Sequence, residues 1–294
     1  MYQHLYFSNL FRSYLNMPYT FAPQHQDLSP GIESIMIPLP ISDNPNYIGS
    51  NKLMNKVAIV TGGDSGIGRA VSIIFAKEGA NIAIVYLSER EHDDAIYTQK
   101  AVEYYGRKAI LIQADLRIEK NCEFIINKTL QTFGKLDILV NNAGTAYLEN
   151  DISKITEEQV LNLFKTNIFS QIYTSKYAVK HMLAGSCIIN TTSMAAFYPI
   201  DSLSIYGASK SASVSFTKAL SLQLISKKIR VNAVAPTYTW TPLITTTVPA
   251  NQIVNFGRNS PMRRAAQPFE LAPAYVYLAS NIDSGYVTGK ILEF

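Results

Sequence analysis

Val57-Ala58-Ile59-Val60-Thr61-Gly62-Gly63-Asp64-Ser65-Gly66-Ile67-Gly68-Arg69-Ala70 carries the clearest structural signal in the chain. Its opening apolar run reads as a buried strand, because branched side chains suit a pleated backbone. Glycines at 62, 66 and 68 then make a tight turn that opens a helix. Glycine lets backbone N–H groups approach a ligand closely, and the positive end of a helix favours an anion such as a pyrophosphate. A glycine turn alone is weak evidence, but one set between strand and helix at the start of a βαβ array points to a dinucleotide site. Gly62, Asp64, Ser65, Gly66, Ile67 and Gly68 are the candidate phosphate-binding residues.

Downstream, short β-branched runs alternate with longer amphipathic stretches. The pattern predicts strands over 57–61, 81–86, 108–113, 137–140, 186–190, 230–233 and 288–293. Helices are predicted over 66–77, 92–105, 120–133, 157–183, 205–225 and 268–280. Such alternation makes an α/β fold, a three-layer doubly wound arrangement with a seven-stranded parallel sheet, whose ligand crevice lies beyond the carboxyl ends of the strands. With no later linker, 51–294 reads as one dinucleotide-binding and catalytic domain. Ahead of it, Pro18, Pro23, Pro30, Pro38, Pro40 and Pro45 recur without periodicity, so 1–50 reads as an extended, surface-lying arm. Residues 1–16 lack the apolar core and cleavage site of a secretory signal; an upstream extension before Met17 is favoured over an amphipathic arm or a targeting segment.

Composition excludes several classes. The 294 residues are 47% hydrophobic and 16% charged, which suits a globular chain with a sizeable core. A formal charge of +4 without blocks of like charge argues against nucleic acid or an anionic membrane as partner, and suits a small anionic cofactor. No apolar run reaches the roughly 18 residues of a membrane-spanning helix. Cys122 and Cys187 are too few and too far apart for a disulfide framework or zinc site, and predict free thiols in a reducing, cytoplasmic setting. His4, His25, His92 and His181 lack metal-ligand spacing, so no metal is expected.

Tyr206-Gly207-Ala208-Ser209-Lys210 places a phenol and an ammonium four residues apart, on one face of a helix. A fixed positive charge beside a tyrosine favours the tyrosinate, which makes a plausible acid/base pair. In a chain with 18 tyrosines the spacing also arises by chance, and a solvated helix face is the plain alternative.

The glycine turn departs from the G-x-G-x-x-G of the commonest Rossmann fingerprint and resembles the T-G-x-x-x-G-x-G motif of the short-chain dehydrogenases/reductases. Ala114-Asp115-Leu116, Asn141-Asn142-Ala143-Gly144, Asn167, Ser193, Tyr206 and Lys210 resemble that family's further motifs in order. Pro30-Gly31-Ile32-Glu33-Ser34, Tyr47-Ile48-Gly49-Ser50, Trp240-Thr241-Pro242-Leu243-Ile244 and Pro261-Met262 through Gln267-Pro268 are similar to its glucose/ribitol dehydrogenase homologue subgroup. The resemblance spans about 23–294.

It implies a Rossmann fold and an NAD(P)-dependent oxidoreductase that interconverts an aldehyde, ketone or sugar with an alcohol. By the same resemblance Tyr206 is the general acid in reduction and the general base in oxidation, and Ser193 holds the substrate oxygen. Lys210 reaches the nicotinamide ribose and, with the positive nicotinamide ring, lowers the tyrosine pKa; Asn167 holds a water that relays protons to Lys210. Asp115 and Leu116 meet adenine, Asn142, Ala143 and Gly144 pass the adenine ribose, and Pro236 and Thr241 stand at the nicotinamide. Residues 238–259 form a substrate lid, and Met194, Ala195, Ala196, Phe197 and Tyr198 a partly apolar pocket.

The dinucleotide is less sharply indicated. After Tyr86-Leu87-Ser88 neither Glu89 nor Arg90 sits where an acid would select NAD or a base NADP. Ser65 stands where NADP-preferring relatives often carry a basic residue, which leans the reading to NAD. Two departures keep open a dinucleotide-binding homologue with little catalysis and a structural or regulatory role. Pro236 is followed by Thr237 where relatives have glycine; a positive φ there would cost about 1–3 kcal/mol. The chain also stops at Ile291-Leu292-Glu293-Phe294, where relatives continue into a glycine-containing tail, so assembly or substrate closure is expected to differ. Helices 157–183 and 205–225 carry more small and apolar residues than one sheet face needs, and with the family's habit predict a homodimer or homotetramer.

Overall fold

Successive side chains of β1 (Val57–Thr61) point to opposite faces of a sheet, Ala58 and Val60 to one core and Ile59 to the other. The computed structural model describes residues 17–294. The extension expected over 1–16 lies outside them. Beside β1 stand β2 (Asn81–Tyr86), β3 (Ala109–Gln113), β4 (Ile138–Asn141), β5 (Cys187–Thr191), β6 (Arg230–Ala235) and β7 (Ile291–Glu293). All pair in parallel, in the order β3-β2-β1-β4-β5-β6-β7. This is the expected seven-stranded sheet. β7 is shorter than expected, because Gly289 at φ 74° and the Thr288 hydroxyl close a turn onto Val231 before pairing begins.

Helices cover both faces. α1 (Gly66–Lys77), α2 (His92–Tyr104) and α8 (Pro268–Ala279) share one core with Ile82, Val140 and Tyr275. α3 (Glu119–Phe133), α5 (Ser170–Ala178) and α6 (Ser204–Gln223) share the other with Ile59, Leu139 and Val231. The helix expected over 157–183 is three pieces: α4 (Glu157–Phe164), a π-helical stretch Lys165–Phe169, and α5, which ends at Ala178. The widened turn contains Asn167, whose side chain is drawn to the backbone of Thr145 on the neighbouring loop. Within the lid stretch lies α7 (Pro242–Thr247), begun by a proline whose fixed φ suits a first helical position.

The arm is extended but does not lie on the surface throughout. Phe21, Glu33 and Met36 are buried, and Phe21 stacks on Trp240 with ring centroids 3.8 Å apart. Those apolar groups join Ile253 and Ala265 in a small core of their own, so the arm is packed against the lid by burial of its aromatic and methionine side chains.

Strand order reverses beside β1, where β2 departs to one side and β4 adjoins on the other. A crevice outside the carboxyl ends of the strands opens at that switch point, between the glycine turn after β1 and Asn142-Ala143-Gly144 after β4.

Candidate active site

The crevice encloses about 1060 Å³ and is lined at one end by the glycine turn and at the other by Ser193, Tyr206 and Lys210. At the first end, Gly62 and Gly66 take φ of 60° and 51°, and a Cβ on Gly68 would lie 1.8 Å from the Gly62 carbonyl. Only glycine closes so tight a turn. The first turn of α1 presents the amides of Ile67 and Gly68 beyond it, a cradle that fits a pyrophosphate. Asn142 braces the cradle by donating to the Thr61 and Gly62 carbonyls at 3.1 and 3.2 Å, while the Thr61 hydroxyl accepts from the amides of Asn142 and Ala143.

Asp115 and Leu116 line the crevice after β3, where the resemblance placed them. Both carboxylate oxygens of Asp115 accept from the Arg117 side chain, at 2.7 to 3.1 Å. Burial pushes the Asp115 pKa up, but the Arg117 bonds outweigh it and hold the carboxylate below its usual range.

At the second end, α6 places Tyr206 and Lys210 one turn apart, with Lys210 Nζ 5.7 Å from the centre of the Tyr206 ring. Ser193, just past β5, and Tyr206 line this end of the crevice together. Lys210 Nζ donates to the Thr191 carbonyl at 3.0 Å, so β5 anchors the ammonium directly behind the tyrosine. The expected lowering of the tyrosine pKa is not what these groups produce: burial raises it, and the neighbouring Ser193 hydroxyl opposes burial only in part. Lys210 is itself desolvated, its pKa pushed down to about 8.

That depression has a signed consequence. The unfolded chain binds the lysine proton more tightly, so this group opposes folding fully below about pH 8 and progressively less as pH rises toward its ordinary 10.5. The opposition is on the order of 3 kcal/mol, partly offset by the Thr191 bond. Lys210→Met is therefore expected to unfold at the same temperature as wild type or higher at pH 7; a loss of several degrees in a calorimetric scan would contradict this.

Asn167 is wholly buried, and both its amide hydrogens are used, on the Thr145 carbonyl at 2.9 Å and the Ser209 hydroxyl at 3.0 Å. Its oxygen accepts from Thr145 N at 2.8 Å. The side chain therefore brackets the loop after β4 against α6. Thr241 packs on the glycine turn, its Cγ2 3.0 Å from where a Gly66 Cβ would stand, and Pro236 lines the crevice behind it. Thr237 carries no strain of this kind: among the described residues, the non-glycine ones at positive φ are Asn51, Asn55, Lys228 and Arg263.

Of two acids at this end of the crevice, Glu91 escaped the sequence reading, and Asp64 was expected only among the phosphate-binding residues. Glu91 lies past the end of β2 in a turn where its carboxylate accepts from Ser88 N and Oγ, and it lines the crevice almost fully buried. Asp64 faces the same region with a buried Oδ2 that has no hydrogen-bond partner among the described residues. Burial raises the pKa of both, and the charge of Asp64 adds to the rise at Glu91. An orphaned carboxylate oxygen beside a glycine cradle is what a ribose hydroxyl would satisfy. Arg69, quoted within the glycine turn, also went unassigned. It bridges Glu33 of the arm at 2.5 Å and Asp94 of α2 at 3.2 Å, all three side chains buried.

A family model described as enoyl-(acyl carrier protein) reductase matches residues 62–294. Glucose and ribitol dehydrogenase homolog 2 of Arabidopsis thaliana is 49% identical over 93% of this chain and 96% of its own. The chain belongs to the short-chain dehydrogenase/reductase family. Solved members share its fold. A short-chain dehydrogenase from Burkholderia cenocepacia, in complex with NADP, is 28% identical and superposes with a TM-score of 0.77 over 83% of this chain and 97% of that one. A 3-ketoacyl-(acyl-carrier-protein) reductase from Brucella melitensis, complexed with NADH, is 31% identical with a TM-score of 0.73 over 82% and 97%. Membership makes the chain an oxidoreductase of a family that binds nicotinamide dinucleotides. Among the described residues no helix is long and apolar enough to cross a membrane.

Proposed function

We propose that the protein reduces an aldehyde, ketone or sugar carbonyl with a nicotinamide dinucleotide, and runs the reverse oxidation, with Tyr206 as general acid/base. The observation that carries this reading is the meeting of Ser193, Tyr206 and Lys210 at one end of a crevice whose other end is the glycine turn. The dinucleotide, when bound, supplies the hydride and a positively charged ring after transfer. Gly62, Ile67 and Gly68 would hold its phosphates, with Asn142 bracing the turn, and Pro236 and Thr241 its nicotinamide end. Ser193 donates to the carbonyl oxygen, Tyr206 delivers the phenolic proton as that oxygen becomes an alkoxide, and Lys210 favours the resulting tyrosinate. A raised phenol pKa keeps Tyr206 protonated at neutral pH, the form that reduction requires.

NAD(H) is the favoured dinucleotide. Asp64 and Glu91 put two carboxylates where β2 ends, and Arg117 is held by Asp115; a 2′-phosphate would meet negative charge there. NADH is expected to bind at least about tenfold more tightly than NADPH, a difference of about 1.4 kcal/mol, and Glu91→Gln to narrow the gap. Equal binding of the two in calorimetry would contradict the assignment. Exposed Leu161, Ile172 and Leu222 on α4, α5 and α6 support assembly as a homodimer or homotetramer. The activity itself is tested by mixing the purified chain with NADH or NADPH and a panel of aldehydes, ketones and sugars. Dinucleotide oxidation above background supports the reading, and binding without oxidation contradicts it.

A further inference from the structure

The arm between Phe21 and Pro38 crosses three of the elements that enclose the crevice. Glu33, wholly buried, accepts from Gly66 N and from Arg69 Nη1, each at 2.5 Å. The amides of Glu33 and Ser34 donate in turn to Asp94 at 2.7 and 3.2 Å, which fixes the segment on α2. On the lid side, Gln26 N donates to the Thr245 carbonyl at 2.9 Å, and the Gln26 side chain exchanges bonds with the backbone of Ile32. Between these anchors Ser29, Pro30 and Gly31 line the crevice itself. Ser29 Oγ stands 3.5 Å from Thr145 Oγ1 of the loop after β4, and a Cβ on Gly31 would lie 2.8 Å from the Pro242 carbonyl of α7.

Building on the dinucleotide-dependent reading above, we propose that this strap is part of the dinucleotide site and that Glu33 is its positioning residue, so that strap docking and dinucleotide binding strengthen each other. Gly66 opens the helix whose first turn would receive the pyrophosphate, and a carboxylate fixed on its N–H and on Arg69 sets the angle of that turn. The same strap presses on α7, whose leading Thr241 packs against Gly66. A ligand that spans the glycine turn and Thr241 needs both held in this arrangement. Coupling of this kind is reciprocal: loosening the strap weakens the ligand by the factor with which the ligand tightens the strap.

The chain contains its own reporter. Trp240 is the single tryptophan, its ring stacked on Phe21 and its indole N–H donated to the Pro38 carbonyl at 2.8 Å. Two variants of the full chain loosen the strap from opposite sides. Glu33→Gln removes the charge that pairs with Arg69, and Phe21→Ala opens the Trp240 stack without touching the glycine turn. Dissociation constants for NADH and NADPH are measured by calorimetry, and acrylamide quenching of Trp240 is measured with and without saturating oxidised dinucleotide. Each folded variant is expected to bind the preferred dinucleotide about tenfold more weakly than wild type and to expose Trp240 to acrylamide, with saturating dinucleotide restoring the shielding. Wild-type affinity in both variants overturns the proposal while leaving the reading of the site intact. Weakened affinity with Trp240 shielding that does not respond to dinucleotide also overturns it, since that is mere structural damage. A wild-type chain that binds neither dinucleotide removes the reading of the site and the strap together.

Discussion

Tyr206→Phe is expected to lower turnover by roughly 10²–10⁴-fold, the usual worth of a positioned acid/base group, while leaving the dinucleotide dissociation constant within about twofold. The substitution deletes one oxygen. It removes the proton that the developing alkoxide must receive. Lys210 keeps its bond to Thr191 and the ring keeps its place on α6, so the fold and the cradle should not change. Loss of kcat without loss of dinucleotide affinity separates proton transfer from binding. Turnover within a few-fold of wild type would remove Tyr206 from the mechanism.

The second large effect is on stability. Arg69→Met is expected to cost about 3–5 kcal/mol at pH 8, because removing one partner strands buried carboxylates. Arg69 donates to Glu33, Asp94, Thr98 and the Asp64 carbonyl, and its guanidinium lies 4.8 Å from the Tyr97 ring centre. The loss should depend on pH, with a definite sign. Burial pushes Glu33 up to about 7 even against the Arg69 charge, so the folded chain binds its proton more tightly than the unfolded chain. Between the ordinary 4.5 and about 7, stability from this group falls as pH rises. Without Arg69 the preference for a protonated Glu33 is stronger still, so the deficit should shrink at pH 5.5 relative to pH 8. Urea unfolding at both pH values checks this, and a deficit that is the same at both, or below about 1 kcal/mol, would contradict it.

What was legible in the sequence was what local spacing encodes. A strand, a glycine turn and a helix in succession have one physical reading, and the β1-to-α1 unit is where it placed them. Tyr206 and Lys210 share a face because 3.6 residues make a turn, and Ser193 follows closely on a strand that periodicity could find. The ion cluster was hidden because Glu33, Arg69 and Asp94 meet only through tertiary packing, and nothing in their own segments marks them as partners. Glu91 was missed for a related reason: the chain bends into a 3₁₀ turn after β2, which carries an acid back to the crevice from beyond the expected position. The π-helical turn at Asn167 was not legible because it goes with buried bonds from that side chain to Thr145 and Ser209, which are set by tertiary packing. The direction of the Tyr206 shift depends on desolvation, which spacing does not contain. The same holds for the arm, whose prolines announced an extended chain but whose burial follows from the Phe21 and Trp240 pairing across more than two hundred residues.

The most direct measurement follows the hydride itself. Reduced dinucleotide carrying two deuterium atoms at the transferring carbon of the nicotinamide is mixed with the enzyme and a carbonyl compound that it turns over, and the alcohol is examined by mass spectrometry. The account expects one deuterium on the carbinol carbon for each dinucleotide oxidised, and no labelled alcohol from Tyr206→Phe on the same timescale. Alcohol without deuterium, or labelled alcohol formed at the wild-type rate by Tyr206→Phe, would contradict it.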